Sequence, residues 1–246
     1  MKKQGLGVGA WKSGIKSPRL GIRGWGAGSL ALLGILVILS TAGYAAEPTP
    51  ESAGMEMRIT VRVQDYAQVP RATLAGAKQE ATRILNEAGI GMAWFDCGGA
   101  AENSTADPEC AKPFAPTDLL LRILPRSMAE RVLLTDSTFG FALQSTDDRL
   151  GFAASVFHHR VRELAEELGD SPAIVLGLVM AHEIGHLLLK TTAHSPTGIM
   201  RARLNREDLL RPLCFTLEQQ NLLRDDVRER IRLQEARQAA EAATPR

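Results

Sequence analysis

The sequence predicts an α/β (α+β) fold in which helices pack on a small mixed sheet. Three observations lead to this prediction. Strand-like and helix-like segments alternate over the first half of the chain. An almost wholly apolar stretch from Ala173 to Leu189 is typical of a buried helix. A charged stretch with spaced leucines, from Leu217 to about Ala240, predicts a long C-terminal helix.

The first half of the chain is predicted to form a strand, a helix and two further strands. Apolar and polar residues alternate from Met55 to Val63, which is typical of a half-buried strand. Apolar residues recur at helical spacing from Arg71 to Ala88, and Gly89 would end that helix. Apolar runs at Ile90 to Phe95 and Asp118 to Leu124 predict the next two strands.

The second half is predicted to add two short strands between two helices. The helices are expected at Met128 to Leu134 and at Val161 to Leu168, and the strands at Phe139 to Leu143 and Gly151 to Phe157. We therefore expect the sheet to gain strands before the apolar helix begins.

Capping residues mark the start of the two main helices that follow. Ser171 is a favourable N-cap, and Pro172 suits the first helical position because its missing N–H has no helical partner there. Thr216 with Gln219 three residues later matches a capping box and would open the C-terminal helix. A short helix is predicted between them, at 206–210.

The N-terminal segment 1–46 has the pattern of a secretory signal. It contains six basic and no acidic residues, then an apolar run at 29–39 and small residues up to Ala45 and Ala46, where cleavage is expected. The alternative is an uncleaved membrane anchor at 27–46, since about 20 residues cross a bilayer core of ~30 Å. Cleavage predicts a secreted or periplasmic protein and the anchor a membrane-bound one, and in both cases the bulk of the chain is expected to leave the cytoplasm.

We expect the rest of the chain to form one domain. Residues 47–54 are predicted to be a polar linker, 55–235 the domain, and 236–246 a flexible tail. Without the N-terminal segment, 23 basic residues stand against 28 acidic ones, so the remainder is about −5 with neutral histidines. No basic patch survives, which argues against a nucleic-acid partner.

The three cysteines allow one disulfide. In an oxidising compartment, Cys97 and Cys110 could close the polar loop between them and leave Cys214 unpaired. The alternative is three free thiols. We favour the bridge, because the loop is rich in turn residues and is otherwise unconstrained.

The apolar helix contains the pattern H-E-x-x-H at His182, Glu183 and His186. The two histidines are four residues apart, so they share one helix face and could hold a single Zn²⁺ ion. Glu183 would then take a proton from a metal-activated water. Burying these three polar groups is costly unless something satisfies them, and a metal site would do so. The alternative, a histidine pair satisfied by hydrogen bonds, leaves Glu183 without a role.

A third zinc ligand must come from beyond the helix. His194 lies eight residues after His186 and would be about 12 Å further along a continuous helix, so the chain must bend after about Lys190. The alternatives are the downstream carboxylates of Glu207 and Glu218, either of which would complete a two-His, one-Glu site. We favour His194, because a Glu on an amphipathic helix is usually solvated. His158 and His159 are interpreted as surface or supporting residues.

These motifs resemble those of the metzincin zinc peptidases. The resemblance rests on His182-Glu183-x-x-His186, on His194-Ser195, and on the Gly198-Ile199-Met200 turn. It implies a zincin-like fold with a buried active-site helix, zinc held by the three histidines, Glu183 as general base, and Met200 as a hydrophobic floor. The chain departs from the family pattern at Leu189, where the family has a glycine, and its third histidine comes two residues later.

The sequence therefore predicts an exported zinc metallopeptidase that acts on a peptide or protein substrate. The alternative is a non-catalytic binding or scaffold protein that keeps the zinc for stability.

Overall fold

The computed structural model describes residues 12–13, 57–99, 107–131, 138–143 and 150–243 of the 246-residue chain. The predicted signal or anchor apart from Lys12–Ser13, the linker at 47–54 and the last three residues lie outside the described residues. The described strands are β1 (Lys12–Ser13), β2 (Arg58–Asp65), β3 (Gly91–Gly99), β4 (Asp118–Leu124), β5 (Gly140–Leu143), β6 (Ala153–Phe157) and β7 (Arg203–Leu204). The helices are α1 (Arg71–Glu87), α2 (Arg126–Ala129), α3 (His158–Leu168), α4 (Pro172–Leu188) and α5 (Leu217–Ala243), with 3₁₀ helices at Pro108–Ala111 and Arg206–Leu210.

Five of these strands form a mixed sheet in the order β3-β2-β4-β6-β5. β2 is parallel to β3 and β4, and β4 is parallel to β6, whereas β5 runs antiparallel to β6. The antiparallel strand β5 therefore occupies one edge of the sheet. β1 and β7 form a separate two-residue parallel pair. The predicted α/β class, with a small mixed sheet and packed helices, is confirmed.

One face of the sheet is covered by α1 and α4. On β2, Ile59, Val61 and Val63 point into this core, with exposed fractions of at most 1%. α4 packs on α1, α3, β5 and β6. It approaches α1 closely at Gly177, where a Cβ atom would lie 2.6 Å from the Cβ of Glu80. The glycine therefore allows the central helix to sit deep between the sheet and α1.

The polar loop before β4 is tied to β2. The guanidinium of Arg62 donates to Asp118 Oδ2 at 2.5 Å and to the carbonyl oxygen of Lys112 at 2.6 Å. The predicted disulfide between Cys97 and Cys110 is present and joins the end of β3 to this loop. The bridge and the arginine together fix the described part of the loop.

Several predicted boundaries move in the structure. β2 begins at Arg58, the predicted start at Met55 lies outside the described residues, and β3 runs on to Gly99. α2 begins at Arg126, directly after Pro125, and ends at Ala129. α3 begins at His158, three residues before the predicted start, and ends at Leu168, where the C-cap residue Gly169 has a positive φ. Short apolar patterns located these elements, but their ends depend on the strands and loops beside them.

The two cap predictions are confirmed. Ser171 Oγ accepts a hydrogen bond from the N–H of Ala173 at 3.3 Å, and α4 begins at Pro172. Thr216 and Gln219 exchange the two hydrogen bonds of a capping box before α5. α5 continues to Ala243, so the predicted tail is an exposed helical extension up to that residue. Within the described ranges, no helix combines the length and the apolar character needed to cross a membrane.

Candidate metal centre

The H-E-x-x-H residues lie in the most buried part of α4. His182, Glu183 and His186 each have an exposed fraction of 0%. Every residue of the helix from Val175 to Leu188 is buried. Each of the three polar side chains therefore needs a partner inside the protein.

Two backbone carbonyls orient the helix histidines. His182 Nδ1 lies 2.8 Å from the carbonyl oxygen of Ile199, and His186 Nδ1 lies 2.7 Å from that of Thr191. Because a carbonyl oxygen only accepts, each Nδ1 carries the proton and each Nε2 keeps its lone pair. The two Nε2 atoms are 3.0 Å apart. The two Nε2 atoms could therefore serve as two ligands of one cation.

His194 joins the pair from the segment that follows α4. Its ring centroid lies 5.3 Å from that of His182 and 5.0 Å from that of His186. One potential ligand atom from each of the three histidines lies within 4.8 Å of the others. Glu207 and Glu218, the alternative ligands, are exposed and do not belong to this group.

A left-handed turn brings the chain back towards the helix. α4 ends at Leu188, and Lys190 has a φ of 50°. The N–H of Thr191 then lies 3.4 Å from the carbonyl oxygen of His186, the long-range bond of a Schellman motif. The resemblance places the family's glycine at Leu189, but the left-handed residue is Lys190, one position later.

The segment after the turn closes into a small loop. The N–H of Ser195 donates to the carbonyl oxygen of Met200 at 2.8 Å, and the N–H of Ile199 donates to that of Cys214 at 2.9 Å. Gly198 has a φ of 73°, and a Cβ there would lie 2.7 Å from the Cys214 oxygen. The glycine therefore allows the close approach that aims the Ile199 carbonyl at His182.

Met200 packs against α4 between the two helix histidines. A Cβ on Gly185 would lie 2.6 Å from Met200 Sδ and 2.8 Å from Cε1 of Phe215. Both of these side chains are buried, each with an exposed fraction of 1%. Sequence reasoning missed Gly185 and Phe215. The signal for Gly185 was a glycine among the large apolar residues of a helix, because such a glycine often marks a close contact.

Glu183 points towards the edge strand β5. A Cβ on Gly140 would lie 2.7 Å from Glu183 Oε1 and 2.8 Å from the carbonyl oxygen of Ser155. Gly140 therefore leaves the space that the carboxyl group fills, and sequence reasoning did not identify it. Neither Glu183 oxygen has a hydrogen-bond partner in the part of the chain that is described. Burial raises the pKa of Glu183 well above its ordinary value.

Burial also keeps the helix histidines neutral. It lowers the pKa of His182 well below the ordinary value, and the nearby His186 and His194 rings add to this. Burial lowers the pKa of His186 to about 4, against the opposing effect of its bond to Thr191. A neutral imidazole can donate a lone pair to a metal at pH 7.

These residues fit a zinc ion. Three neutral imidazoles are a donor set that Zn²⁺ prefers, and carbonyl oxygens hold two of the rings by the other nitrogen. Glu183, whose buried carboxyl group has no hydrogen-bond partner among the described residues, lies next to the first of them in sequence. His158 and His159 remain outside the group.

Comparisons with known proteins give only weak likenesses. No protein-family profile matches the chain, and no curated protein matches it. A zinc-dependent peptidase from Methanocorpusculum labreanum (strain Z) superposes with a TM-score of 0.44 at 19% identity, covering 66% of this chain and 99% of that one. Archaemetzincin from Methanopyrus kandleri gives 0.40 at 14% identity, covering 72% and 99%. At such values the functional assignment depends on the site itself.

The His194→Ala variant should lose zinc affinity by about 100-fold or more, because a ligand contributes at least as much as its supporting partners. Competition with a chromophoric chelator measures the affinity. Glu207→Ala and Glu218→Ala are the matched controls and should bind zinc like the wild type. A His194→Ala protein with full affinity, together with a weakened Glu207→Ala or Glu218→Ala protein, would assign the third ligand to that carboxylate.

The metal-free protein should lose stability as the pH falls from 6.5 towards 4. The folded-state pKa of His186 is about 4 against an ordinary 6.5, so the unfolded chain binds its proton first. Full loss of this contribution is about 3 kcal/mol in the free energy of unfolding. The raised pKa of Glu183 acts in the opposite direction, since its contribution is present at low pH and lost as the pH rises through the shifted value.

Urea unfolding at pH 7, 5.5 and 4 in the presence of a chelator measures this dependence. His158, His159 and His182 also have lowered pKa values, so only the difference between wild type and His186→Asn reports on His186. The His186→Asn protein should show the flatter profile. Parallel profiles would contradict the prediction.

Proposed function

We propose that this protein is an exported zinc-dependent metallopeptidase in which Glu183 is the general base. One observation carries the proposal. One ligand atom of each of three histidines lies within 4.8 Å of the others, and a buried carboxyl group without a partner among the described residues lies on the helix that carries two of them. A stabilising zinc site explains the histidines, but it gives no reason to bury Glu183.

The three histidines are proposed to hold the ion. His182 and His186 present Nε2 from one helix face, and the loop that supplies their two carbonyl partners also supplies His194. Met200 and Phe215 pack closely against this helix at Gly185. The donors are therefore held in place before the ion binds.

Zinc bound there would act as a Lewis acid that acidifies a water molecule and polarises the peptide carbonyl. Glu183 accepts the proton of the attacking water and passes it to the leaving amine. Burial alone favours the protonated form of this carboxyl group, because it raises the pKa of Glu183. A nearby positive charge stabilises the carboxylate and lowers that pKa. Glu183 is therefore a base when the site is loaded.

The edge strand supports a peptide as the substrate. β5 pairs with β6 on one side, and in the described sheet its other side has no neighbour. Its first residue, Gly140, contacts Glu183. An extended peptide could add to this edge through main-chain hydrogen bonds and so pass beside the carboxylate.

Glu183→Gln should keep zinc and lose peptidase activity by about 10²–10⁴-fold, the usual contribution of a general base. Metal content is measured by elemental analysis, and activity with an unspecific fluorescent protein substrate. Glu218→Gln, an exposed glutamate on α5, is the control and should retain both. If wild type and Glu183→Gln cleave equally, Glu183 is not the base. If zinc-loaded wild type cleaves nothing, the protein is instead a zinc-stabilised binding or scaffold protein.

Export is proposed from the N-terminal segment, and the Cys97–Cys110 bridge is consistent with an oxidising compartment. In this proposal residues 55–235 are the peptidase domain. N-terminal sequencing of the protein purified from its source should give a start near residue 46 or 47. A start at residue 1 in a membrane fraction would instead indicate an uncleaved anchor.

A further inference from the structure

The turn after α4 contains an unfavourable backbone conformation. Lys190 has a φ of 50°, and the only other positive-φ residue with a side chain in the described ranges is Gln68. A Cβ disfavours this left-handed region, and helices that end in such a turn usually place a glycine there. Something in the structure must therefore compensate at Lys190.

This turn sets the position of one helix histidine. Thr191, the next residue, donates its N–H to the carbonyl oxygen of His186 and accepts from His186 Nδ1 at 2.7 Å. His194 follows three residues later. If Lys190 left the left-handed region, the Thr191 carbonyl would turn away from the His186 ring. The backbone at Lys190 is thus coupled directly to the donor set.

The compensating contact comes from the C-terminal helix. Lys190 Nζ lies 2.8 Å from Oδ1 of Asp226 on α5. The geometry is that of an ion pair and not of a directed hydrogen bond. The Asp226 carboxylate is buried, with an exposed fraction of 4%, whereas Lys190 is half-exposed. A partly buried pair of this kind is less screened than a surface pair.

Asp226 is itself held firmly. Its Oδ2 accepts from Nε of Arg230 at 2.6 Å, one turn further along α5. Arg230 is fully buried and donates to the carbonyl oxygens of Pro116 at 3.1 Å and Gly151 at 2.9 Å. Those two carbonyls precede β4 and β6. Asp226 therefore has a fixed place relative to the sheet, and Lys190 is attached to that place.

We propose that the Lys190–Asp226 ion pair is a positioning device for the metal centre. It stabilises the left-handed turn and thereby holds the Thr191 carbonyl against His186 and brings His194 to the pair. Lys190 and Asp226 are positioning residues and touch neither metal nor substrate. This inference rests on one part of the proposed function, the zinc site. Peptidase activity is not needed to test it.

Two substitutions at Lys190 separate this role from a general effect on stability. Lys190→Ala removes the ion pair but still has a Cβ that disfavours the left-handed turn, so its zinc dissociation constant should rise about tenfold, as for partners of metal ligands. Lys190→Gly also removes the ion pair, but glycine adopts the left-handed turn freely, so zinc affinity should stay close to wild type. Lys112→Ala, which breaks an exposed ion pair with Glu109, is the control and should change nothing.

The Asp226→Asn variant tests the role of the other member of the ion pair. Asp226→Asn should weaken zinc binding like Lys190→Ala, and adding Lys190→Gly to it should restore the affinity without restoring the ion pair. Chelator competition measures all affinities, and thermal unfolding of the metal-free proteins confirms that each variant is folded. If Asp226→Asn does not fold, the comparison of Lys190→Ala with Lys190→Gly still tests the proposal.

Wild-type affinity in Lys190→Ala, or equal weakening in Ala and Gly, would overturn this inference. Both results leave the zinc site intact, provided that His182→Ala abolishes binding. Failure of the zinc site itself would appear differently, as wild-type protein that binds no zinc.

Discussion

The structure depends on one constraint, the burial of two imidazoles and a carboxyl group inside an apolar helix. Each buried polar group must recover the interactions it loses with water. The Ile199 and Thr191 carbonyls do this for the rings of His182 and His186. Both carbonyls come from the segment between α4 and Cys214. That segment therefore accepts hydrogen bonds from both helix histidines and also supplies His194.

The glycines around α4 are as important for its packing as the large apolar side chains. Three glycines allow the close packing around α4, two of them on the helix itself and one on β5. Gly177 admits α1, Gly185 admits Met200 and Phe215, and Gly140 admits Glu183 to the edge of the sheet. A methyl group at any of these positions would meet an atom at less than 3 Å. The helix is thus fixed on several sides, and the angular position of its two histidines is fixed with it.

Local patterns predicted much of this fold, because periodicity and caps act over a few residues. The start of α4 at Pro172 and the span of β4 agree with the sequence prediction. The approach of His194 to the helix pair and a bend near Lys190 were expected as well, but the left-handed backbone conformation of Lys190 and its ion pair with Asp226 were not. The resemblance drew attention to Leu189, whereas the turn is made at Lys190 with the help of Asp226. Contacts between residues far apart in sequence leave no periodic signal, and Gly140 was missed for the same reason.

The buried arginine of the last helix has a consequence for the order of assembly. Arg230 contacts two loops of the sheet and holds the carboxylate that fixes the end of α4. During synthesis the histidines emerge before Arg230, so a nascent chain has all three of them while this support is still missing. Metal affinity is largely folding free energy in such sites. We therefore expect a chain that ends before Arg230 to hold zinc less tightly than a chain that includes α5.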